Sequence, residues 1–145
     1  MKKVQDLSAQ RTLAIARSTD TVLAAAQAMT KQHIGALVVL NEAGALEGII
    51  TERDVMVRVV AAGKDPASTT VADVMTGEVY TTDPDQELRA VRLEMRERHI
   101  RHVPVVKEGR VLGVIGMRDL MRAALAEKRE QVSDMTAYIR GEELA

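Results

Sequence analysis

The side chains best suited to chemistry stand in two short tetrads, Thr51–Asp54 (Thr-Glu-Arg-Asp) and Gly116–Asp119 (Gly-Met-Arg-Asp). Each tetrad follows an apolar run and precedes a helical pattern, so each is predicted to lie where a strand passes into a helix. A helix N-terminus attracts phosphate, a threonine hydroxyl can bind phosphate or ribose, and an aspartate can accept hydrogen bonds from both ribose hydroxyls. The same Thr-x-x-Asp spacing is close to that of a capping box, in which both side chains only bind backbone amides.

The two tetrads differ at their first position. Gly116 removes the hydroxyl that Thr51 offers, whereas Asp119 keeps the carboxylate of Asp54. This difference is compatible with one better-equipped site and one weaker site. It is equally compatible with the drift of a helix cap.

A further candidate is the pair Arg101-His102. Arg101 is a permanent cation suited to phosphate, and His102 can hydrogen-bond phosphate in either protonation state. The counterpart residues Gly35 and Ala36 carry no polar side chain. The alternative interpretation of Arg101 and His102 is a solvated strand end.

Composition limits the classes of function. The chain has 145 residues, a net charge of −1, no cysteine and 1% aromatic residues. Balanced charge gives no drive toward nucleic acid or anionic membranes, and cysteine chemistry is excluded. The sequence has no glycine-rich phosphate loop, no metal-binding histidine motif and no nucleophile elbow. We therefore predict no catalytic residue, no metal site and no enzymatic activity, in a cytoplasmic protein without membrane contact.

A sequence duplication positions these residues. Residues 33–56 and 99–121 share a His-Ile pair, an apolar run, a turn, a second apolar run and an Arg-Asp pair. The pattern predicts a helix, two strands and a second helix in each half, with a short strand before the first helix. A duplicated unit usually packs against its copy about a pseudo-two-fold axis, which creates two related clefts where small ligands bind.

Local signals refine the second half. Residues 80–82 are predicted to form the short strand, and Asp83-Pro84-Asp85 is predicted to open the next helix. Pro104 lies within a predicted strand, so its missing N–H is expected to face an edge or a ligand cleft. In the first half, Thr19 and Asp20 are the candidate N-caps of the helix that starts near residue 21.

The last twenty residues lie outside the repeat. Val132, Met135, Tyr138 and Ile139 fall near helical spacing within this charged segment. Three interpretations stay open: a helix packed on its own domain, a helix in a dimer contact, and disorder at the far end.

The duplicated pattern resembles a tandem pair of CBS domains, also called a Bateman module, over about residues 4–125. The resemblance implies an α/β (α+β) fold of two β-α-β-β-α CBS repeats packed as a pseudo-two-fold pair, plus a C-terminal helix. The expected boundaries are 1–65 and 66–125 for the repeats and 126–145 for the C-terminal helical extension. The chain is similar to stand-alone pairs, and such modules also form disc-shaped homodimers.

The resemblance also implies that each cleft binds an adenosyl ligand such as AMP, ADP, ATP, NAD or S-adenosylmethionine. The first cleft would contain Thr51, Arg53, Asp54, Val79, Tyr80, Thr81, Ile100, Arg101, His102 and Pro104. Asp54 would hold the ribose, and Thr51 with Arg101 and His102 would hold the phosphates. A second, weaker cleft would contain Ile15, Ala16, Ile34, Gly35, Ala36, Leu37, Gly116, Arg118 and Asp119. It departs from the family pattern at Gly116, Ala36 and Val38.

These expectations describe a regulatory sensor. It would bind an adenine nucleotide as a regulatory ligand, with no catalytic cofactor, and act on an unknown effector protein through a ligand-dependent conformational change. One alternative is a dimerisation scaffold that binds no ligand. Another is an RNA- or DNA-binding protein that uses the arginines of the second half, against which the balanced charge argues.

Overall fold

Each predicted repeat contains the same order of elements in the structure: a helix, two strands and a second helix. The structure is a computed structural model that describes residues 2–7 and 13–141. The first half contains a 3-10 turn Val4–Asp6, β1 (Ile15–Ala16), α1 (Val22–Gln32), β2 (Ala36–Leu40), β3 (Leu46–Thr51) and α2 (Glu52–Val55), which a π-helical segment Met56–Val60 continues. The second half contains α3 (Val71–Val74), α4 (Leu88–Arg98), β4 (His102–Lys107), β5 (Arg110–Gly116) and α5 (Met117–Ile139). The predicted α/β class is confirmed.

The sheets follow the duplication with one difference. In the first half β1 pairs in parallel with β2, and β2 pairs antiparallel with β3. In the second half β4 pairs antiparallel with β5, and the predicted strand at 80–82 is reduced to one parallel bridge between Thr82 and Val105. The amide of Val38 donates to the carbonyl of Ala14 at 3.2 Å. Pro104 holds the equivalent position and has no amide hydrogen, so the second strand cannot extend to Tyr80.

The two apolar cores are joined by crossed chain segments. Val71 and Val74, at the start of the second half, are buried among the first-half residues Val22 and Ile50. Val4, at the start of the chain, is buried in the second-half core. The Val71 amide donates to the Asp20 carbonyl at 2.8 Å, and the Val4 amide donates to the Gln86 carbonyl at 2.9 Å. Each half therefore completes the core of the other.

Two local predictions are wrong at helix starts. Thr21, and not Thr19 or Asp20, caps α1 by accepting the Ala24 amide at 3.1 Å. The Asp83-Pro84-Asp85 segment forms a turn, and α4 begins only at Leu88. The Asp83 carboxylate accepts the Asp85 amide at 2.8 Å, so this side chain stabilises the turn and not a helix.

The C-terminal extension continues α5 as one helix to Ile139. Val132 and Met135 are 64% and 65% exposed, and Tyr138 and Ile139 are also exposed. From Val132 onward the apolar side chains of this segment are not packed on the domain, whereas Glu127, Lys128 and Gln131 line a groove beside α4. The interpretation that the segment packs on its own domain therefore holds only for its first part, and residues 142–145 lie outside the described residues. Within the described part of the chain, no helix is both long and apolar enough to cross a membrane.

Candidate functional site

The first tetrad forms a complete capping box at the junction of β3 and α2. The Thr51 amide donates to Asp54 Oδ2 at 2.9 Å, and the Asp54 amide donates to Thr51 Oγ1 at 3.2 Å. The Thr51 hydroxyl also lies 3.1 Å from Oδ2. Asp54 is buried, with 8% of its surface exposed. The capping interpretation is thus correct for the Oδ2 oxygen, and it fixes the orientation of the carboxylate.

The second carboxylate oxygen, Oδ1, is bound less tightly. It accepts a 3.4 Å hydrogen bond from the Thr76 hydroxyl and lies 3.8 Å from Arg58 Nε, whose side chain is half exposed. Both distances are long for such contacts. Because the cap uses Oδ2, Asp54 can accept a ligand hydroxyl at Oδ1 without the loss of its structural hydrogen bonds.

Two contacts connect this tetrad to the second half. The Arg53 guanidinium lies 3.5 Å from the carbonyl oxygen of His99, next to Ile100 and Arg101 in the chain. Thr76, which contacts Asp54, leads into the segment 79–81. Both contacts are made by residues that precede, in the chain, the second-half segments predicted to line the first cleft.

A backbone acceptor follows from the proline in β4. The Thr82 amide donates to the Pro104 carbonyl at 3.0 Å, and the Val106 amide donates to the Thr82 carbonyl at 2.8 Å. This register puts the Tyr80 carbonyl opposite the Pro104 nitrogen, as Ala14 stands opposite Val38. Since Pro104 cannot donate, the Tyr80 carbonyl is left for another donor.

The Tyr80 side chain is held in place beside this carbonyl. The Arg98 guanidinium lies 4.6 Å from the centre of its ring, which is a cation–π contact. Burial raises the pKa of the Tyr80 phenol, the Glu94 carboxylate raises it further, and Arg98 lowers it. The half-buried ring packs on the second-half core.

The second tetrad forms half of the same cap. The Gly116 amide donates to Asp119 Oδ2 at 2.9 Å, but Gly116 has no hydroxyl to return the bond. Ile15 and Ala16 pair with Val38 and Val39 of β2. The Val38 amide therefore donates a backbone hydrogen bond in the first half. Pro104, at the equivalent position of the second half, cannot donate one.

His102 lies beside Gly35 and Gly116. A Cβ atom added at Gly35 would lie 3.1 Å from its imidazole Cε1 and Nε2 atoms, and one added at Gly116 would lie 3.6 Å from its Cδ2 atom. His102 was predicted in the first cleft, whereas Gly35 and Gly116 were predicted in the second. The absence of a side chain at Gly35 provides space that the imidazole occupies, whereas a Cβ atom at Gly116 would make only an ordinary van der Waals contact with it.

Sequence reasoning missed Thr76 and Gly48. A Cβ atom added at Gly48 would lie 2.7 Å from the Thr76 carbonyl oxygen and 2.8 Å from Met75 Sδ. Ile49 and Thr76 exchange backbone hydrogen bonds of 3.0 and 2.9 Å. A glycine inside a strand signals a close backbone approach, so Gly48 could have indicated that another segment crosses β3 here.

Two open grooves lie on the helical faces, and one of them reaches the first tetrad at Glu52. One has a volume of about 490 Å³ and is lined by Ala26, Met29, Thr30, His33, Ile34, Glu52 and Val55. The other, of about 460 Å³, lies between α4 and α5. Neither contains Asp54 or Arg101, so the candidate site rests on the chemistry of its side chains. Within residues 2–7 and 13–141, no cluster of three or more His, Asp or Glu side chains is arranged to hold a metal ion.

Comparison with known protein families finds the same domain once in each half of the chain. The sequence profile of the CBS domain matches residues 4–61 and 71–126. The CBS domain-containing protein CBSX3, mitochondrial, of Arabidopsis thaliana is 42% identical over 127 residues, which cover 84% of this chain and 61% of the plant protein. The chain thus spans less than two thirds of that relative's length.

Solved structures agree with the architecture. The CBS-domain containing protein ATU1752 from Agrobacterium tumefaciens superimposes with a TM-score of 0.80 at 29% identity, covering 85% of this chain and 99% of the other. The CBS domain pair of protein MJ0100, crystallised in complex with 5′-methylthioadenosine and S-adenosyl-L-methionine, has a TM-score of 0.79 at 29% identity. It covers 87% of this chain and 98% of its own length. Both are similar to this chain over the two halves.

Proposed function

The chain belongs to the CBS-domain family, and on that premise we propose that it is a regulatory module that binds an adenosyl ligand in the first cleft. The MJ0100 pair, which is similar over 87% of this chain, was crystallised with two adenosyl ligands. The chemistry of the first cleft supports the same ligand class here. We also propose that the ligand binds two conformations of the chain unequally, because an effect on a partner protein requires such a difference.

In this proposal Asp54 Oδ1 accepts hydrogen bonds from the ribose hydroxyls, because the cap already occupies Oδ2. Thr51, Arg53, Arg101 and His102 bind the phosphates. Arg53 contacts the carbonyl of His99, so its positive charge lies at the second-half side of the cleft. The remaining residues form the apolar walls around the base: Val79, Tyr80, Thr81, Ile100 and Pro104.

The observation that carries the proposal is the pair Pro104–Tyr80. The first half closes its strand with the Val38–Ala14 hydrogen bond, while Pro104 leaves the Tyr80 carbonyl without that donor. The exocyclic amine of adenine is a donor, whereas guanine presents an acceptor oxygen on the same edge. A backbone carbonyl at this place favours adenine over guanine.

The second cleft is expected to bind such ligands more weakly. Gly116 lacks the hydroxyl of Thr51, and the Val38 amide closes the strand onto Ala14. Arg118 and Asp119 remain, but the His102 imidazole fills the space beside Gly35. We therefore propose one strong ligand site per chain.

The remaining parts of the function stay predictions. The proposal assigns regulation and not catalysis to the chain, and no specific contact favours the scaffold or the nucleic-acid alternative. A cytoplasmic location and a homodimer are predictions from sequence, and the name of the plant relative points to mitochondria.

Thermal unfolding of the purified chain with AMP, ADP, ATP, NAD, S-adenosylmethionine, 5′-methylthioadenosine and GTP tests the proposal. A ligand at 100 times its Kd stabilises the folded state by about 2.7 kcal/mol, which raises Tm by several degrees. We expect a shift with adenosyl compounds and none with GTP, and calorimetric titration should give one site. Equal shifts with GTP, or no shift with any compound, would contradict the proposal.

A further inference from the structure

Arg58 lies beside the carboxylate of Asp54, although the proposed function gives it no role. Its Nε atom is 3.8 Å from Asp54 Oδ1, and its Nη1 atom donates to the carbonyl oxygens of Val74 and Met75 at 3.1 Å each. The side chain is 49% exposed, so an ion pair at this distance adds little to stability. The guanidinium does join the helical segment after the first tetrad to the chain that connects the two repeats.

Thr76 contacts the same carboxylate oxygen. Its hydroxyl donates to Oδ1 at 3.4 Å, and its backbone exchanges hydrogen bonds of 3.0 and 2.9 Å with Ile49 of β3. Val74 and Met75, whose carbonyls bind Arg58, come directly before Thr76 in the chain. Arg58 therefore acts on Oδ1 in two ways, through its own charge and through the segment that carries the threonine.

The Asp54 carboxylate is held firmly at one oxygen. Oδ2 lies 2.9 Å from the Thr51 amide and 3.1 Å from the Thr51 hydroxyl, whereas the contacts at Oδ1 are the longer ones from Thr76 and Arg58. A carboxylate anchored at one oxygen can still turn about that anchor. The direction in which Oδ1 accepts a further hydrogen bond therefore depends on Arg58 and Thr76.

The repeat does not supply these two donors to the other half. The aspartate of the second tetrad is Asp119, and in its repeat the residues that correspond to Arg58 and Thr76 are Ala123 and Ala9. An alanine side chain has no hydrogen-bond donor. Both halves thus keep the aspartate, while the side chains that contact Oδ1 in the first half have no counterpart in the sequence of the second.

The backbone that carries Arg58 also departs from the repeat. Arg58 lies in the π-helical segment Met56–Val60, whereas the corresponding residues 121–125 are a regular part of α5. Single π-helical turns occur frequently at functional sites. The surroundings of Asp54 are therefore specialised in backbone as well as in side chains.

We propose that Arg58 is a positioning residue for the ligand: together with Thr76 it directs Asp54 Oδ1 toward the ribose hydroxyls and makes the first cleft selective for an intact ribose. This role rests on the proposed function, the binding of an adenosyl ligand in that cleft. Arg58 acts through the carboxylate and does not touch the ligand. Loss of its guanidinium therefore weakens the ribose contact and leaves the contacts to base and phosphate in place.

Calorimetric titration with AMP and with 2′,3′-dideoxyAMP, which lacks both ribose hydroxyls, isolates the ribose contact. We expect Arg58→Met to lower the affinity for AMP about tenfold, which corresponds to about 1.4 kcal/mol, and to change the affinity for the dideoxy compound by less than about twofold. Thr76→Val keeps the shape of the side chain without its donor and should change the ratio of the two affinities in the same direction. Arg122→Met, which removes an exposed arginine of α5, is the matched control and should leave both affinities unchanged.

The outcomes distinguish a failure of this role from a failure of the ligand site. If the natural chain bound neither compound, the proposed ligand site and the role of Arg58 would both be overturned. If the natural chain preferred AMP and Arg58→Met kept that preference, or lost both affinities equally, only the role of Arg58 would be overturned. Urea unfolding verifies the fold of each variant, and if Arg58→Met does not fold, the affinity ratio of Thr76→Val decides.

Discussion

The Arg53 guanidinium lies 3.5 Å from the carbonyl oxygen of His99, and this contact joins the start of α2 to the end of α4. Arg53 is exposed, so the contact adds little to stability. It does keep a permanent positive charge near Arg101, at the side of the cleft where the phosphates are proposed to bind.

Arg53→Ala is expected to weaken AMP and ATP more than 5′-methylthioadenosine, which carries no phosphate. A charge-assisted hydrogen bond contributes about 1.5–3 kcal/mol to binding of a charged group. Calorimetric titration with the three ligands measures the difference, and Arg118→Ala in the second tetrad is the matched control. Equal losses for all three ligands would show that Arg53 acts on the shape of the cleft and not on phosphate.

Asp54→Asn is expected to weaken every adenosyl ligand by about 1–3 kcal/mol, since the amide cannot accept both ribose hydrogen bonds. Asparagine retains one acceptor oxygen for the Thr51 amide, so the helix cap can persist. Isothermal titration of AMP measures the loss, and circular dichroism verifies the fold. Asp119→Asn changes the corresponding cap of the second tetrad and should leave the affinity intact. If the Asp119 variant lost binding and the Asp54 variant did not, the ligand would occupy the other cleft.

Pro104→Val gives β4 the amide that Val38 uses in the first half. The new N–H can donate to the Tyr80 carbonyl, so we expect adenosyl affinity to fall while the free energy of unfolding holds or rises by about 0.5–1.5 kcal/mol. Urea unfolding and ligand titration of the same sample separate the two effects. Retained affinity and retained preference for adenine over guanine would exclude the Tyr80 carbonyl as the base acceptor.

Gly48→Ala is expected to destabilise the fold by about 1–3 kcal/mol, because its Cβ would meet the Thr76 backbone oxygen at 2.7 Å. The segment at Thr76 must then move away from β3 and from Asp54. Gly77→Ala is the matched control, as an added Cβ there meets no described atom within 4 Å. Urea unfolding of both variants checks the prediction, and equal stability of the two would refute it.

Tyr80 should make stability depend on alkaline pH. Its pKa is raised by burial and by Glu94 above the ordinary value of 10.0, so the folded state holds the phenol proton more tightly than the unfolded state. The resulting stabilisation is unaffected below that value and is lost as pH rises through the folded pKa. The unfolding free energies of the natural chain and of Tyr80→Phe should therefore depend on pH in the same way near neutral pH. At alkaline pH the natural chain should lose stability more steeply than Tyr80→Phe. Parallel pH profiles of the two proteins would contradict this.

Much of the fold follows from the sequence because local signals agree with tertiary packing. The apolar runs at 36–40 and 102–106 predict buried strands, and β2 and β4 lie there. Gly63 follows the π-helical segment and has a φ of +71°, a conformation that glycine adopts readily. Such positions are determined by their own residue type and by their neighbours in the chain.

The misplaced elements depend on contacts between distant segments. Residues 80–82 have strand-forming side chains, yet a proline two dozen residues later prevents the pairing at Tyr80. Pro84 is a good first residue for a helix, but its carbonyl accepts the Gln5 amide at 2.9 Å from the start of the chain. Neither effect is visible in the local pattern.

The candidate site was accessible to sequence reasoning only in part. The capping and binding interpretations of Thr51 and Asp54 share one spacing, and only the structure shows that the cap uses Oδ2 and leaves Oδ1 with longer contacts. Thr76 carried no motif, because its role comes from the close approach of its backbone to Gly48.

The crossed segments at Val4 and Val71 bear on synthesis of the chain. Val4 is synthesised well before Ile115 and Leu120, which belong to the core that buries it. The first half likewise waits for Val71 and Val74 before its own core is complete. Neither repeat can finish folding while it emerges alone, so the native state is reached as one late event that involves nearly the whole chain.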